Sequence, residues 1–181
     1  TGRIGAQVVR NLSGFGCRIL AYDLRRNPAV ESQVTYVDFD TLLAQSDVIT
    51  LHMPLLDSNR HIINREAIAK MRDGVVIVNC SRGELADIEA LIEGIETGKI
   101  GALGMDTVEG DEGIIHADHR VDILPNRNWF YLHQFRNVIM TQHMAFYTDA
   151  AVASMVACGI GGICQMAAGK PCPTELTAPA Q

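Results

Sequence analysis

No run of basic residues offsets the formal net charge of −6 in this 181-residue chain, so nothing in it offers the positive face that a nucleic acid requires. No C-x-x-C pair or histidine-rich stretch has the spacing of a metal site. The five cysteines (Cys17, Cys80, Cys158, Cys164 and Cys172) are odd in number and irregularly spaced. That excludes a disulfide framework and fits reduced thiols in the cytoplasm. No internal repeat appears before the proline-rich tail "KPCPTELTAPAQ", which is expected to be extended. The chain starts inside a glycine turn, "TGRIG", where no signal peptide is expected. One uncharged stretch, residues 150–169, is long enough to span a membrane. It consists largely of Ala, Gly, Ser and Cys and carries Gln165, so a helix buried between protein layers is the expectation and a membrane partner is not.

What is present is a globular composition, 48% hydrophobic and 20% charged, in which short apolar runs alternate with helical patterns. "CRILAYD", "DVITLHMP", "GVVIVNCSRG", "IGALGMD" and "NVIMTQH" read as five strands, the third a continuous β-branched run of the kind covered on both faces. Between them lie helices. Ile4, Val8, Leu12 and Phe15 recur near helical spacing and predict one, stopped by Gly14 and Gly16. A short helix is expected around "TLLAQS", and Asp87 is placed to cap another that carries Ile88, Leu91, Ile92 and Ile95 and closes at Gly98. Strands alternating with helices imply βαβ units and a doubly wound parallel sheet.

In such a sheet ligands bind beyond the carboxyl ends of the strands. Asp23 follows the first strand, His52, Met53 and Pro54 the second, Asn79, Ser81 and Arg82 the third, Asp106 the fourth and His143 the last. Gly2 and Gly5 have the spacing of the last two glycines of G-x-G-x-x-G, whose backbone lets a pyrophosphate approach a helix N-terminus. Asp23 falls about twenty residues on, where a carboxylate accepts the ribose hydroxyls of NAD and repels a 2′-phosphate. Arg82 has the planar guanidinium that grips a carboxylate through two parallel bonds. His143 can pass a proton to and from a carbonyl oxygen if a carboxylate favours its charged form. Glu109, Asp111 and Glu112 in "EGDE" are candidates for that carboxylate, although a solvated loop is the expectation for at least two of the three.

In this order the residues resemble the D-2-hydroxyacid dehydrogenases, and most of all the D-lactate and D-2-hydroxyisocaproate branch. The stretches that carry the likeness are "TGRIG", "AYD", "SDVITLHMPLLDSNRHIIN", "VVIVNCSRGELADIEALIEGIETGKI", "GMDTVEGDEGI" and "HMAFYT". The resemblance implies a Rossmann-type domain that binds NAD, with Arg3 and Ile4 beside Gly2 and Gly5 at the pyrophosphate and Asp23 at the ribose. It implies Met53, Pro54 and Asn59 on the adenosine side, and Cys80, Ser81 and Asp106 at the nicotinamide. Arg82 would hold the substrate carboxylate, His143 would be the acid/base, and Phe146 would touch the substrate side chain. The family's glutamate partner for the histidine falls on Asp111, a shorter acid with Glu112 beside it. Gln142 stands where the family commonly has proline.

Residues 1–147 are thus expected to form the dinucleotide-binding domain. Residues 148–181 are expected to return toward a substrate domain that, with the first strand and first glycine, would precede Thr1. The activity implied is interconversion of a 2-oxo acid and a D-2-hydroxy acid, pyruvate and D-lactate first among them, in a homodimer with no metal. Two other readings are a non-catalytic dinucleotide-binding module on the same scaffold and a relative acting on another acid.

Overall fold

The computed structural model describes residues 1–111, 114, 115, 118 and 126–172. They fall into two compact units, Thr1–His143 and Met144–Gln181. In the first unit a four-stranded parallel sheet is built from β3 (Val48–Leu51), β4 (Val75–Asn79), β5 (Ile100–Met105) and β6 (Val138–Met140), in that order. A separate parallel pair is formed by β1 (Leu20–Ala21) and β2 (Thr35–Tyr36). The parallel α/β architecture is the expected one. The sequence led us to five strands; the described residues hold six, in two sheets. The run "CRILAYD" contracts to the two residues of β1, and β2 is too short to show an alternation of its own.

Helices α1 (Arg3–Leu12), α2 (Phe39–Gln45), α3 (Arg65–Lys70), α4 (Ile88–Glu96) and α5 (Arg127–Leu132) complete this unit. Their starts are set by side chains that accept orphan N–H groups: Asp38 for α2, Asn64 for α3 and Asp87 for α4. Gly98, at φ +75°, turns the chain out of α4 in the left-handed conformation expected there. The core sits where β4 and β5 meet α3 and α4. Ile77, Leu85, Leu91 and Ile100 are fully buried there, each contributing roughly 1.5–3 kcal/mol of transfer free energy.

Helix α1 forms where the apolar spacing predicts it, but Ile4, Leu12 and the nearby Phe15 are exposed, Phe15 by 80%. Gly5, Ala6 and Val9 are the buried residues instead. The helix presents its small face to the protein: a Cβ built on Gly5 would sit 3.5 Å from the His52 Cβ, ordinary contact distance. The second unit contains α6 (Asp149–Ala167), capped by the Thr148 hydroxyl, which accepts the Ala151 N–H at 3.2 Å. The helix is there as expected, but none of its residues is buried. By length and composition it is apolar enough to cross a membrane.

Candidate active site

The four strands of the larger sheet stop on one line. Leu51 pairs with Asn79, Asn79 with Met105, and Met105 with Met140, so the last residues of all four lie in one row. Whatever follows each strand emerges along a single rim, where open parallel sheets bind ligands.

The loop after β4 is fixed by Asn79, which is 1% exposed. Its side-chain oxygen accepts the Ser81 N–H at 3.0 Å and its amide donates to the Arg82 carbonyl at 2.8 Å. The Ser81 hydroxyl donates to the Leu51 carbonyl at 2.6 Å, which ties this loop to the end of β3. Arg82 is exposed. Its Nη1 donates to the Ser81 carbonyl at 2.7 Å, and it pairs with no carboxylate among the described residues.

The loop after β5 is locked against the same turn. Asp106 is buried; its N–H donates to the Asn79 carbonyl at 2.9 Å and its carboxylate accepts the Thr141 hydroxyl. Its carbonyl accepts the His143 N–H at 2.8 Å, which places the imidazole-bearing residue on the rim. Gly83 packs directly on the backbone of this loop, for a Cβ built there would lie 2.1 Å from the Val108 carbonyl carbon. Asp111, only 8% exposed, accepts the Val108 N–H at 3.1 Å, and the same Oδ2 lies 3.7 Å from His143 Nδ1. That separation permits charge attraction but exceeds a hydrogen bond. Arg82, Gly83, Thr107, Asp111 and His143 together line a cavity of about 260 Å³. The three residues assigned to chemistry from sequence are thereby brought to one place.

The solvated-loop expectation for "EGDE" fails for the two acids described. Asp111 is buried, and Glu109 accepts Arg60 Nη1 at 2.9 Å and binds His61 Nε2 at 2.8 Å. Glu112 lies outside the described residues. The sequence reading passed over Arg60 and His61, because their link to Glu109 spans 49 and 48 residues and leaves no local signal. The backbone marks one of them: His61 (φ +52°) and His143 (φ +51°) are the non-glycine residues found at positive φ among those described. Such strain clusters at functional sites.

The expected cofactor residues follow β1, β3, β4 and β5 and open α1. Space is open where a Cβ on Gly2 would sit, at the N-terminus of a ten-residue helix, as close approach of a pyrophosphate requires. Asp23 stands beside a cavity of about 460 Å³ that Tyr22, Arg26, Tyr36 and Asp38 also line. Its burial works to raise its carboxyl pKa. Hydrogen bonds from the Arg25 N–H and the Thr1 hydroxyl oppose that effect, and the group is held below the usual range. A charged carboxylate facing a cavity of that size fits an adenosine ribose. Met53 is partly buried against the core, Pro54 is exposed, and Asn59 holds the turn after β3, accepting the Leu56 N–H at 2.8 Å and donating to the Pro54 carbonyl at 2.9 Å. Arg3 and Ile4 are exposed on the first turn of α1. Much of Cys80 faces solvent, yet burial of its thiol and the nearby Asp106 push its pKa up. His52 is shifted the other way, its pKa lowered by burial. Phe146 belongs to the second compact unit.

Comparison with known proteins bears on this geometry. Residues 1–145 match the family described as D-isomer specific 2-hydroxyacid dehydrogenase, NAD binding domain. A D-lactate dehydrogenase of Lactobacillus delbrueckii subsp. bulgaricus is 43% identical over 177 residues, which make up 97% of this chain and 53% of that protein. An aromatic 2-oxoacid reductase of Clostridium sporogenes is also 43% identical, over 86% of this chain and 47% of that protein. The solved structure of a D-lactate dehydrogenase with NAD+ from Lactobacillus jensenii superposes with a TM-score of 0.91 at 35% identity, covering 98% of this chain and 54% of that one. The chain thus spans about half the length of the relatives it matches. It carries the NAD-binding domain of the D-isomer specific 2-hydroxyacid dehydrogenases and belongs to that family.

Proposed function

We propose that the protein reduces a 2-oxo acid to a D-2-hydroxy acid, and runs the reverse, with pyruvate and D-lactate as the leading pair. The observation that carries this reading is the cavity of about 260 Å³ that Arg82, Asp111 and His143 share beyond the aligned strand ends. Bound NADH supplies the hydride for the second carbon of the substrate. Gly2, Arg3, Ile4 and Gly5 hold its pyrophosphate and Asp23 its ribose; Met53, Pro54 and Asn59 follow on the adenosine side, and Cys80, Ser81 and Asp106 border the nicotinamide. Arg82 takes the substrate carboxylate in a charge-assisted, two-bond grip, each bond to a charged group contributing roughly 1.5–3 kcal/mol. That grip aims the keto carbon at the cofactor. His143 gives its proton to the keto oxygen during reduction and takes it back during oxidation, a role that accounts for roughly 10²–10⁴ in rate. Asp111, 3.7 Å away, attracts the positive charge the imidazole carries when protonated.

The D stereochemistry comes with the family, and a homodimer in the cytoplasm with the domain boundary near residue 147 completes the proposal. Free thiols at Cys17, Cys80, Cys158 and Cys164 support a reducing compartment. The relatives named for D-lactate and for aromatic 2-oxo acids are equally similar in sequence, so the substrate side chain is decided by experiment. The full-length protein is to be assayed for NADH oxidation with pyruvate, longer aliphatic 2-oxo acids and phenylpyruvate. Turnover with pyruvate fastest supports the lactate reading; phenylpyruvate fastest moves the side chain and keeps the chemistry. NADH binding without turnover on any of them contradicts an enzyme and favours a dinucleotide-binding module.

A further inference from the structure

Three loops meet at Glu109, and none of its partners belongs to the chemistry just assigned. The Glu109 carboxylate, 25% exposed, accepts Arg60 Nη1 at 2.9 Å and takes His61 Nε2 at 2.9 and 2.8 Å on its two oxygens. Arg60 and His61 belong to the segment after β3. The His61 N–H donates to the Glu84 carbonyl at 2.8 Å, and the Ile63 N–H to the Leu85 carbonyl at 3.0 Å. Those two bonds stitch the segment to the loop that begins at Arg82. Glu109 itself lies in the loop after β5, two residues before Asp111, and Gly83 is pressed against its backbone N. Asn126 adds a bond at 3.3 Å to the Glu109 carbonyl.

We propose that Glu109 is a positioning residue: held by Arg60 and His61, it fixes the Asp111 loop against the Arg82 loop and so sets the spacing between guanidinium and imidazole. This rests on the reading of Arg82 and His143 as the groups that handle substrate. Glu109 acts through its neighbours' backbone. The left-handed conformation of His61 fits the same role. A residue bearing a Cβ adopts it at a cost, histidine more readily than most, and here it lets the ring meet Glu109 while the backbone N–H meets Glu84. Arg60 is 51% exposed and contributes less than the half-buried imidazole.

The test uses the full-length protein with Glu109→Ala, His61→Leu and His61→Gln, the last retaining a side-chain N–H donor. For each, kcat and KM for the 2-oxo acid are measured alongside the Kd for NADH. Glu109→Ala and His61→Leu are expected to raise KM about tenfold, the loss of one charge-assisted bond, with the NADH Kd unchanged. His61→Gln is expected to recover most of the loss, and the double variant Glu109→Ala with His61→Leu to be no worse than either alone. An unchanged KM, or a KM and NADH Kd that rise together as general destabilisation would produce, overturns the proposal. Should the unaltered protein reduce no 2-oxo acid, the functional reading fails and amide hydrogen exchange decides this one. Faster exchange at Val108 and Asp111 in Glu109→Ala upholds the positioning role, and unchanged exchange ends it.

Discussion

Gly83 has no room for even one more carbon. An added Cβ would lie 2.1 Å from the Val108 carbonyl carbon and 2.3 Å from the Glu109 nitrogen, and both are backbone atoms that cannot swing aside. Gly83→Ala is expected to cost about 1–3 kcal/mol in urea unfolding and to raise KM for the 2-oxo acid by moving Arg82 and Asp111 apart. Cys80 tests the electrostatics of the same rim. Burial of its thiol, and then the Asp106 charge, push its pKa above the usual value, so at neutral pH less of it is thiolate and alkylation should be slow. The rate of iodoacetamide modification at Cys80 is expected to keep climbing above the pH at which a model thiol levels off. A plateau near neutral pH would contradict the assignment. Asp23 gives a third outcome. Held below the usual carboxylate range, it stays charged at neutral pH and repels a 2′-phosphate, so Asp23→Ser should narrow the gap between NADH and NADPH in kcat/KM. At this scale the sequence was informative about which polar residues gather at the rim and silent about packing. The rim positions of Arg82, Asp106 and His143 were legible because each comes within three residues of a strand end. Gly83 was not, since its constraint comes from a backbone twenty-five residues away.

The elements work by ending together. Four parallel strands whose last residues share one row turn separate stretches of chain into neighbours, and side-chain caps set the starts of α2 to α5. Asp87 is the clearest case, its carboxylate accepting the Glu89 N–H at 3.0 Å and the Ala90 N–H at 3.4 Å at the head of α4. Asp87→Ala is expected to lower stability by about 1 kcal/mol, measured by urea denaturation, with the NADH Kd unchanged. A loss under a few tenths would mean that the cap contributes little beyond the packing of Leu91 and Ile95. Strands β3 to β6 and the cap of α4 could be read from β-branched runs and from an acid preceding an apolar stripe. The inward face of α1 could not. Its apolar residues at helical spacing point outward, because Gly5, Ala6 and Val9 are the ones the protein covers. Helical periodicity identifies a stripe but not which face the protein covers. Strand β2 escaped notice because two residues carry no period.

At the scale of the whole molecule, the chain supplies the NAD-binding part of a protein of its family and spans about half the length of its relatives. The net charge of −6 is no bar to an anionic substrate, because the field that matters is local. Arg82 faces a cavity together with a histidine; Asp111 there is engaged by the Val108 N–H and His143, and Glu84 also lines it, while Glu109 is held by Arg60 and His61. The proposed function stands on that convergence. Its most direct test is the steady-state reduction of pyruvate by the full-length protein and its His143→Ala variant, with the NADH Kd measured in both. Loss of about 10²–10⁴ in kcat with the NADH affinity preserved is the expected result. Undiminished turnover in His143→Ala would show that the proton comes from elsewhere and would contradict the proposed mechanism.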